Sequence, residues 1–183
     1  RLLDGEGLRH VRVERSKEGD HYDPDAKTVR LSKDHFDRRS LAAAVVAAHE
    51  VGHAIQDATG YAPLARRTVL ARQAGRIERV GSIVMLAAPV MLLLAKSPLA
   101  LLADYAAGAV ILGAGVMMHA STLPVEYDAS FRRALPLLRR TALLRQSDLP
   151  AAREILRAAA LTYVASALMT LLNVARWFRV FRF

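Results

Sequence analysis

Three stretches of this 183-residue chain, 80–95, 99–118 and 158–175, contain one charged side chain between them, Asp104. A helix that is apolar on every face has no side to turn to water, and a globule of this size can rarely enclose several such helices. The stretches therefore predict bilayer spans rather than one large soluble helical core. Residues 80–95 would make roughly 24 Å of helix, somewhat short for a span, and 99–118 a full one. With Lys96-Ser97-Pro98 as the turn between them, they read as a membrane hairpin. After 158–175 comes Arg176-Trp177-Phe178-Arg179-Val180-Phe181-Arg182-Phe183, the mixture of aromatic rings and arginine that suits a membrane interface.

Charge is placed unevenly. Residues 1–40 hold 10 basic and 9 acidic side chains, whereas 41–183 hold 16 basic and 8 acidic, so +8 of the formal excess of +9 sits with the apolar stretches. Two arginine clusters, Arg66, Arg67, Arg72, Arg76 and Arg79, then Arg132, Arg133, Arg139, Arg140 and Arg145, flank the hairpin. A nucleic-acid binder would carry its basic residues on a polar face. Here they adjoin greasy segments, which predicts contact with anionic lipid head groups and no nucleic-acid partner. The positive-inside bias puts both clusters, and the segments beside them, in the cytoplasm; Arg176, Arg179 and Arg182 run against that pattern. The hydrophobic content of 53% excludes a disordered chain. Without cysteine there is no disulfide framework, iron–sulfur cluster or thiol nucleophile, and any metal site must use His, Asp and Glu. The chain starts at Arg1 with no signal-peptide pattern, so a fragment or processed product is expected.

Ahead of the apolar stretches lies a short β element. Leu8-Arg9-His10-Val11-Arg12-Val13 alternates at period two, Thr28-Val29-Arg30-Leu31 reads as a second strand, and Tyr22-Asp23-Pro24-Asp25 supplies turn chemistry between them. Leu3-Asp4-Gly5, a tripeptide also found in intramembrane proteases, precedes this element in polar surroundings and is read as a loop. Ser40 is a plausible cap for a buried helix over 41–56, which Gly60 and Pro63 terminate.

That helix carries His49-Glu50-Val51-Gly52-His53. Histidines four apart fall on one helical face, so both imidazoles can reach a single ion, and the intervening Glu can hold a metal-bound water. Ala48, Val51, Gly52, Ala54 and Ile55 are uncharged, and two His and a Glu would be costly to bury there without a metal. Catalytic zinc takes a third protein ligand and keeps one position open. Among Asp57, Glu78, Asp104, His119, Glu126, Asp128, Asp148 and Glu154, the segment Leu123-Pro124-Val125-Glu126-Tyr127-Asp128-Ala129-Ser130 is best placed, because the hairpin returns the chain to the side it left. With Ser121 or Thr122 as cap and Pro124 opening a helix, residues 126 and 128 would point about 200° apart, so one ion cannot easily take both. Glu126 has the longer reach and is the expected ligand. Asp128 is left a supporting place, and either carboxylate could instead be a helix-dipole partner. Tyr127, Tyr61, His119 and His21 are open candidates for stabilising an oxyanion, with His119 alternatively capping the second span.

Several of these motifs, in order, resemble the YugP-like family of bacterial membrane zinc metallopeptidases: His21-Tyr22-Asp23-Pro24, Ala47-Ala48-His49-Glu50-Val51-Gly52-His53-Ala54-Ile55-Gln56, Gly60-Tyr61-Ala62-Pro63 and Leu123-Pro124-Val125-Glu126-Tyr127-Asp128-Ala129-Ser130. Ala158-Ala159-Ala160-Leu161-Thr162-Tyr163-Val164-Ala165 is similar to that family's C-terminal span, and the family usually has a further membrane helix before the β element. The resemblance implies zinc on His49 and His53 with Glu50 as catalytic base. The segment at Glu126 is also similar to the third-ligand helix of HtpX-type proteases, which carry Asp where this chain has Ser130.

Together these readings predict a mainly α protein: a zincin-like metallopeptidase core with a small N-terminal β element and appended transmembrane helices. Residues 1–77 with 119–157 would form the catalytic domain, 78–118 the hairpin, and 158–183 a C-terminal membrane helix with an interfacial tail. The expected activity is peptide-bond hydrolysis by a zinc-activated water, on a peptide or protein substrate that pairs with the sheet near 28–31. The expected location is the bacterial inner membrane, multi-pass, with the site facing the cytoplasm. The alternative is a non-catalytic adaptor whose zinc only holds the fold.

Overall fold

The computed structural model describes residues 1–95 and 98–180. Lys96 and Ser97 of the expected turn, and the tail from Phe181 through Arg182 to Phe183, lie outside the described residues. The chain divides into two compact units: Arg1–Ala65 with Leu123–Thr162, and Arg66–Thr122 with the described residues from Tyr163 on.

In the first unit a helical turn, α1 (Leu2–Gly5), precedes three strands, β1 (Arg12–Ser16), β2 (His21–Asp23) and β3 (Thr28–Ser32). β3 is central, parallel to β1 (Val13 opposite Val29) and antiparallel to β2 (Tyr22 opposite Val29). The β2–β3 turn follows from one carboxylate: Asp23 Oδ1 accepts the N–H groups of Asp25 and Ala26, each at 2.9 Å. Next come α2 (Lys33–Asp37) and α3 (Leu41–Ala58). The Ser40 hydroxyl caps α3 by accepting the Ala43 N–H at 3.1 Å, and Gly60 at φ +63° lets the chain leave it.

Opposite sides of α3 enter two apolar clusters. Val51 and Ala54 pack with Leu3, Leu8, Val11, Val29, Leu31 and Leu137. Val45 and Ala48 pack with Ala134, Leu135, Leu138, Ala152 and Leu156. These partners come from a π-helical segment (Asp128–Ala134), α6 (Leu135–Arg140) and the start of α7 (Leu149–Val180). α3 is thus packed on both flanks, with the face between them enclosed.

Four expectations need correction. Leu2–Gly5 is a helical turn rather than a loop, because Leu3 is drawn into the core. The first strand begins at Arg12: turns spend the backbone groups of Leu8 and Val11 (Leu8 N–H to Leu3 carbonyl 2.8 Å, Val11 N–H to Leu8 carbonyl 3.1 Å), while their side chains are buried. Tyr22 and Asp23, read as turn, form the edge strand β2. No helix opens at Pro124. α5 (Pro98–Tyr127) runs through it, and the Ser121 and Thr122 hydroxyls turn back to the Met118 carbonyl (2.7 and 2.9 Å), as they do inside helices. Burial of Val125, Glu126 and Ala129 outweighs the proline's missing donor.

The second unit contains most of α4 (Ala62–Ala95) and α5 and the far part of α7. Gly81 on α4 leaves no room for a β-carbon beside the Ile111 side chain of α5. Small residues permit such close helix approach in apolar surroundings. Among the described residues, one helical stretch, Ala106–Arg140, is long and apolar enough to cross a membrane.

Candidate metal centre

His49 and His53 project from the enclosed face of α3, their ring centroids 4.8 Å apart and the ring planes at 80°. Glu126, from the last turn of α5, enters between them: its Oε2 lies 3.1 Å from His49 Nε2 and 3.5 Å from His53 Nε2. All three side chains are buried, Glu126 to 2% exposure, and one ligand atom from each falls within 4.8 Å of the others. Two ligands about 2.0–2.1 Å from a tetrahedral zinc stand roughly 3.4 Å apart. Both nitrogen–oxygen separations are close to that value, and the three side chains are able to hold a metal ion.

The segment after Glu126 is widened into a π-helix, a feature common at functional sites. It presses on α3 where the contact needs glycine: a β-carbon on Gly52 would stand 2.6 Å from the Ala129 carbonyl oxygen. The close approach lets hydrogen bonds hold both imidazoles from behind. Ser130 Oγ lies 3.1 Å from His49 Nδ1. Gln56 Oε1 lies 2.9 Å from His53 Nδ1, and the Gln56 amide donates to the Val125 carbonyl (2.8 Å) and to Asp128 Oδ2 (3.0 Å). Arg133 Nε donates to the same Asp128 oxygen at 2.7 Å. Asp128 therefore stands behind Gln56, outside the His49–His53–Glu126 group.

Glu50 is buried next to His49. Burial pushes its carboxyl up to about 7; His49 and the backbone N–H of Tyr22 pull it down, while Glu126 and Asp20 push it further up. The Tyr22 hydroxyl in turn donates to Asp57 Oδ2 at 2.7 Å, an oxygen that also accepts from Lys27 Nζ at 2.6 Å. These bonds pin β2 to α3. Burial, then the Asp57 carboxylate, raises the Tyr22 phenol.

The other expected residues are not among the three clustered side chains. His21 opens β2, in register with Arg30. Tyr127 is 56% exposed, its ring 5.0 Å from that of Phe131. Tyr61 lies under the Arg133 guanidinium, 5.5 Å from the ring centroid. His119 belongs to the second unit. Pairing of a peptide with 28–31 is overturned, because β3 already has a neighbour on both edges. Sequence reasoning missed Gln56 and Ser130, though Gln56 follows His53 by three residues and Ser130 follows Glu126 by four, spacings that share a helical face.

The chain matches the family described as "Putative neutral zinc metallopeptidase" over residues 1–182. It is 36% identical over 185 residues to the "Putative membrane protease YugP" of Bacillus subtilis, covering 99% of this chain and 77% of that protein. No solved structure matches.

Proposed function

As the chain belongs to this neutral zinc metallopeptidase family, we propose that it is a membrane-bound peptidase in which His49, His53 and Glu126 hold zinc and Glu50 is the general base. The observation that carries this reading is the buried trio of metal-competent side chains with a buried carboxyl at its side. Zinc bound there would polarise the scissile carbonyl and lower the pKa of its water toward about 7. Glu50 takes the proton from the attacking water and returns it to the leaving amine. Its enclosure keeps bulk water from competing for that proton, and the Tyr22 N–H orients the carboxylate. A peptide or protein substrate would lie along β2, an edge strand whose middle residue faces Glu50 through its backbone N–H.

The same reading embeds the second unit in the inner membrane as a multi-pass anchor, built from the hairpin at 78–118 and the helix from 158 on. Large apolar side chains on these helices are open to the surroundings, among them Val80, Ile83, Leu102, Met117, Leu168 and Leu172. The arginine clusters would lie at anionic head groups, with the first unit in the cytoplasm.

The test is metal analysis of the detergent-purified protein, with hydrolysis of an unstructured protein such as casein. Wild type should hold one zinc and cleave. Glu50→Gln should hold one zinc and lose cleavage by at least about 10³-fold. Cleavage by Glu50→Gln at the wild-type rate overturns the assignment.

A further inference from the structure

The contacts behind His53 form a chain of groups whose hydrogen-bonding sense is dictated from its far end. Arginine can only donate and a carboxylate can only accept, so Asp128 Oδ2 receives Arg133 Nε and has nothing to give. The Val125 carbonyl likewise only accepts. Both stand against the same end of the Gln56 side chain, at 3.0 and 2.8 Å, and only the NH2 of an amide satisfies two acceptors. The amide oxygen must then face His53, 2.9 Å from Nδ1. An amide oxygen cannot donate, so Nδ1 carries a hydrogen and Nε2 is the nitrogen turned toward Glu126. Gln56 has no exposure and Asp128 has 5%, so water cannot readily substitute for any of these partners.

We propose that Gln56, oriented by Asp128 and Arg133, is the positioning residue that fixes the tautomer of His53 with Nε2 free for a metal. The same device is missing at the other imidazole. His49 Nδ1 meets the Ser130 hydroxyl, which can donate or accept, so that contact leaves the His49 tautomer open. One ligand is thus set before the metal arrives, and the other adjusts as it binds. The consequence for zinc rests on His53 being a ligand; the tautomer itself does not.

Two variants and two readouts test this without an activity assay. Asp128→Asn keeps the shape but can donate as well as accept, so Gln56 is no longer forced into one orientation. Gln56→Met keeps the length and removes the hydrogen bonds. Imidazole ¹⁵N spectra of the metal-free protein should show wild-type His53 protonated on Nδ1. The two tautomers should mix in Asp128→Asn. Zinc affinity, measured by competition with a chromophoric chelator, should fall about 10–100-fold in both variants, the usual effect of removing a partner behind a ligating histidine. Ser130→Ala should lose less than either. Wild-type His53 protonated on Nε2 alone overturns the proposal, as does an Asp128→Asn protein with unchanged tautomer and affinity. If Gln56→Met fails to fold, Asp128→Asn decides alone. A wild-type protein that binds no zinc would instead overturn the proposed function, while the nitrogen spectra would still report on Gln56.

Discussion

Gly52 and the Ala129 carbonyl oxygen are so close that a β-carbon on the glycine would stand 2.6 Å from the oxygen. The obstacle is backbone, which cannot swing aside as a side chain could. Gly52→Ala must therefore push the π-helical segment away from α3, at a cost of about 1–3 kcal/mol for overpacking. The same displacement withdraws Glu126 and Ser130, which lie on either side of Ala129. Gly52→Ala is expected to melt several degrees lower and to bind zinc more weakly, by calorimetry and chelator competition. Unchanged values in both would contradict the packing described here.

Glu126 and Asp128, both buried, stand in different relations to the candidate centre. Glu126 Oε2 contacts both imidazole Nε2 atoms, whereas Asp128 contacts Gln56 and Arg133. Glu126→Ala should lose stoichiometric zinc and activity together. Asp128→Ala should still bind one zinc at saturating metal, with affinity down about 10–100-fold. A Glu126→Ala protein that retains stoichiometric zinc and cleaves peptide would remove Glu126 as a ligand.

How much could be read from the sequence depended on how local the deciding interaction was. The His49–Glu50–His53 face, the Ser40 cap and the Gly60 exit each depend on a few neighbouring residues, so spacing alone reveals them. β2 has three residues, too few for a period-two pattern, and it pairs only because Asp23 turns the chain back on β3. Pro124 reads as a helix start by local rules, yet burial of Val125 and Glu126 against α3 carries the helix through it. The π-helical widening has no local signature. It comes from fitting Ala129 against Gly52, some 77 positions earlier in the chain, and the partners Ser130 and Gln56 provide follow from that fit.

Asp23 should make stability depend on pH at the acid end. The Ala26 N–H first, then Arg30 and the Asp25 N–H, hold its carboxyl below the usual carboxylate range. A depressed folded value means stability that is complete above the unfolded value of about 4 and is lost as pH falls through the folded one. Asp23→Asn keeps the turn's acceptor oxygen but not the charge, so it should be less stable than wild type at neutral pH. The gap should close on acidification. Denaturant midpoints at about pH 7 and about pH 2.5 check this, and a gap that stays constant would count against it.

Membrane orientation gives the last prediction. Arg66, Arg67, Arg72, Arg76 and Arg79 precede the apolar part of α4, and Arg132, Arg133, Arg139, Arg140 and Arg145 follow that of α5. Excess arginine on both flanks of a hairpin favours keeping both ends in the cytoplasm. The first unit is continuous in sequence with both ends, so it should face the cytoplasm as well. The chain has no cysteine, so a single introduced one can report position. Lys17 is exposed on the first unit, in the connection between β1 and β2. Lys17→Cys should resist a membrane-impermeant maleimide in intact spheroplasts and react once the membrane is opened. Arg176, Arg179 and Arg182 oppose this orientation if the last helix crosses fully, so the experiment also weighs ten arginines against three. Labelling of Lys17→Cys from outside would place the first unit on the external face and overturn the assignment.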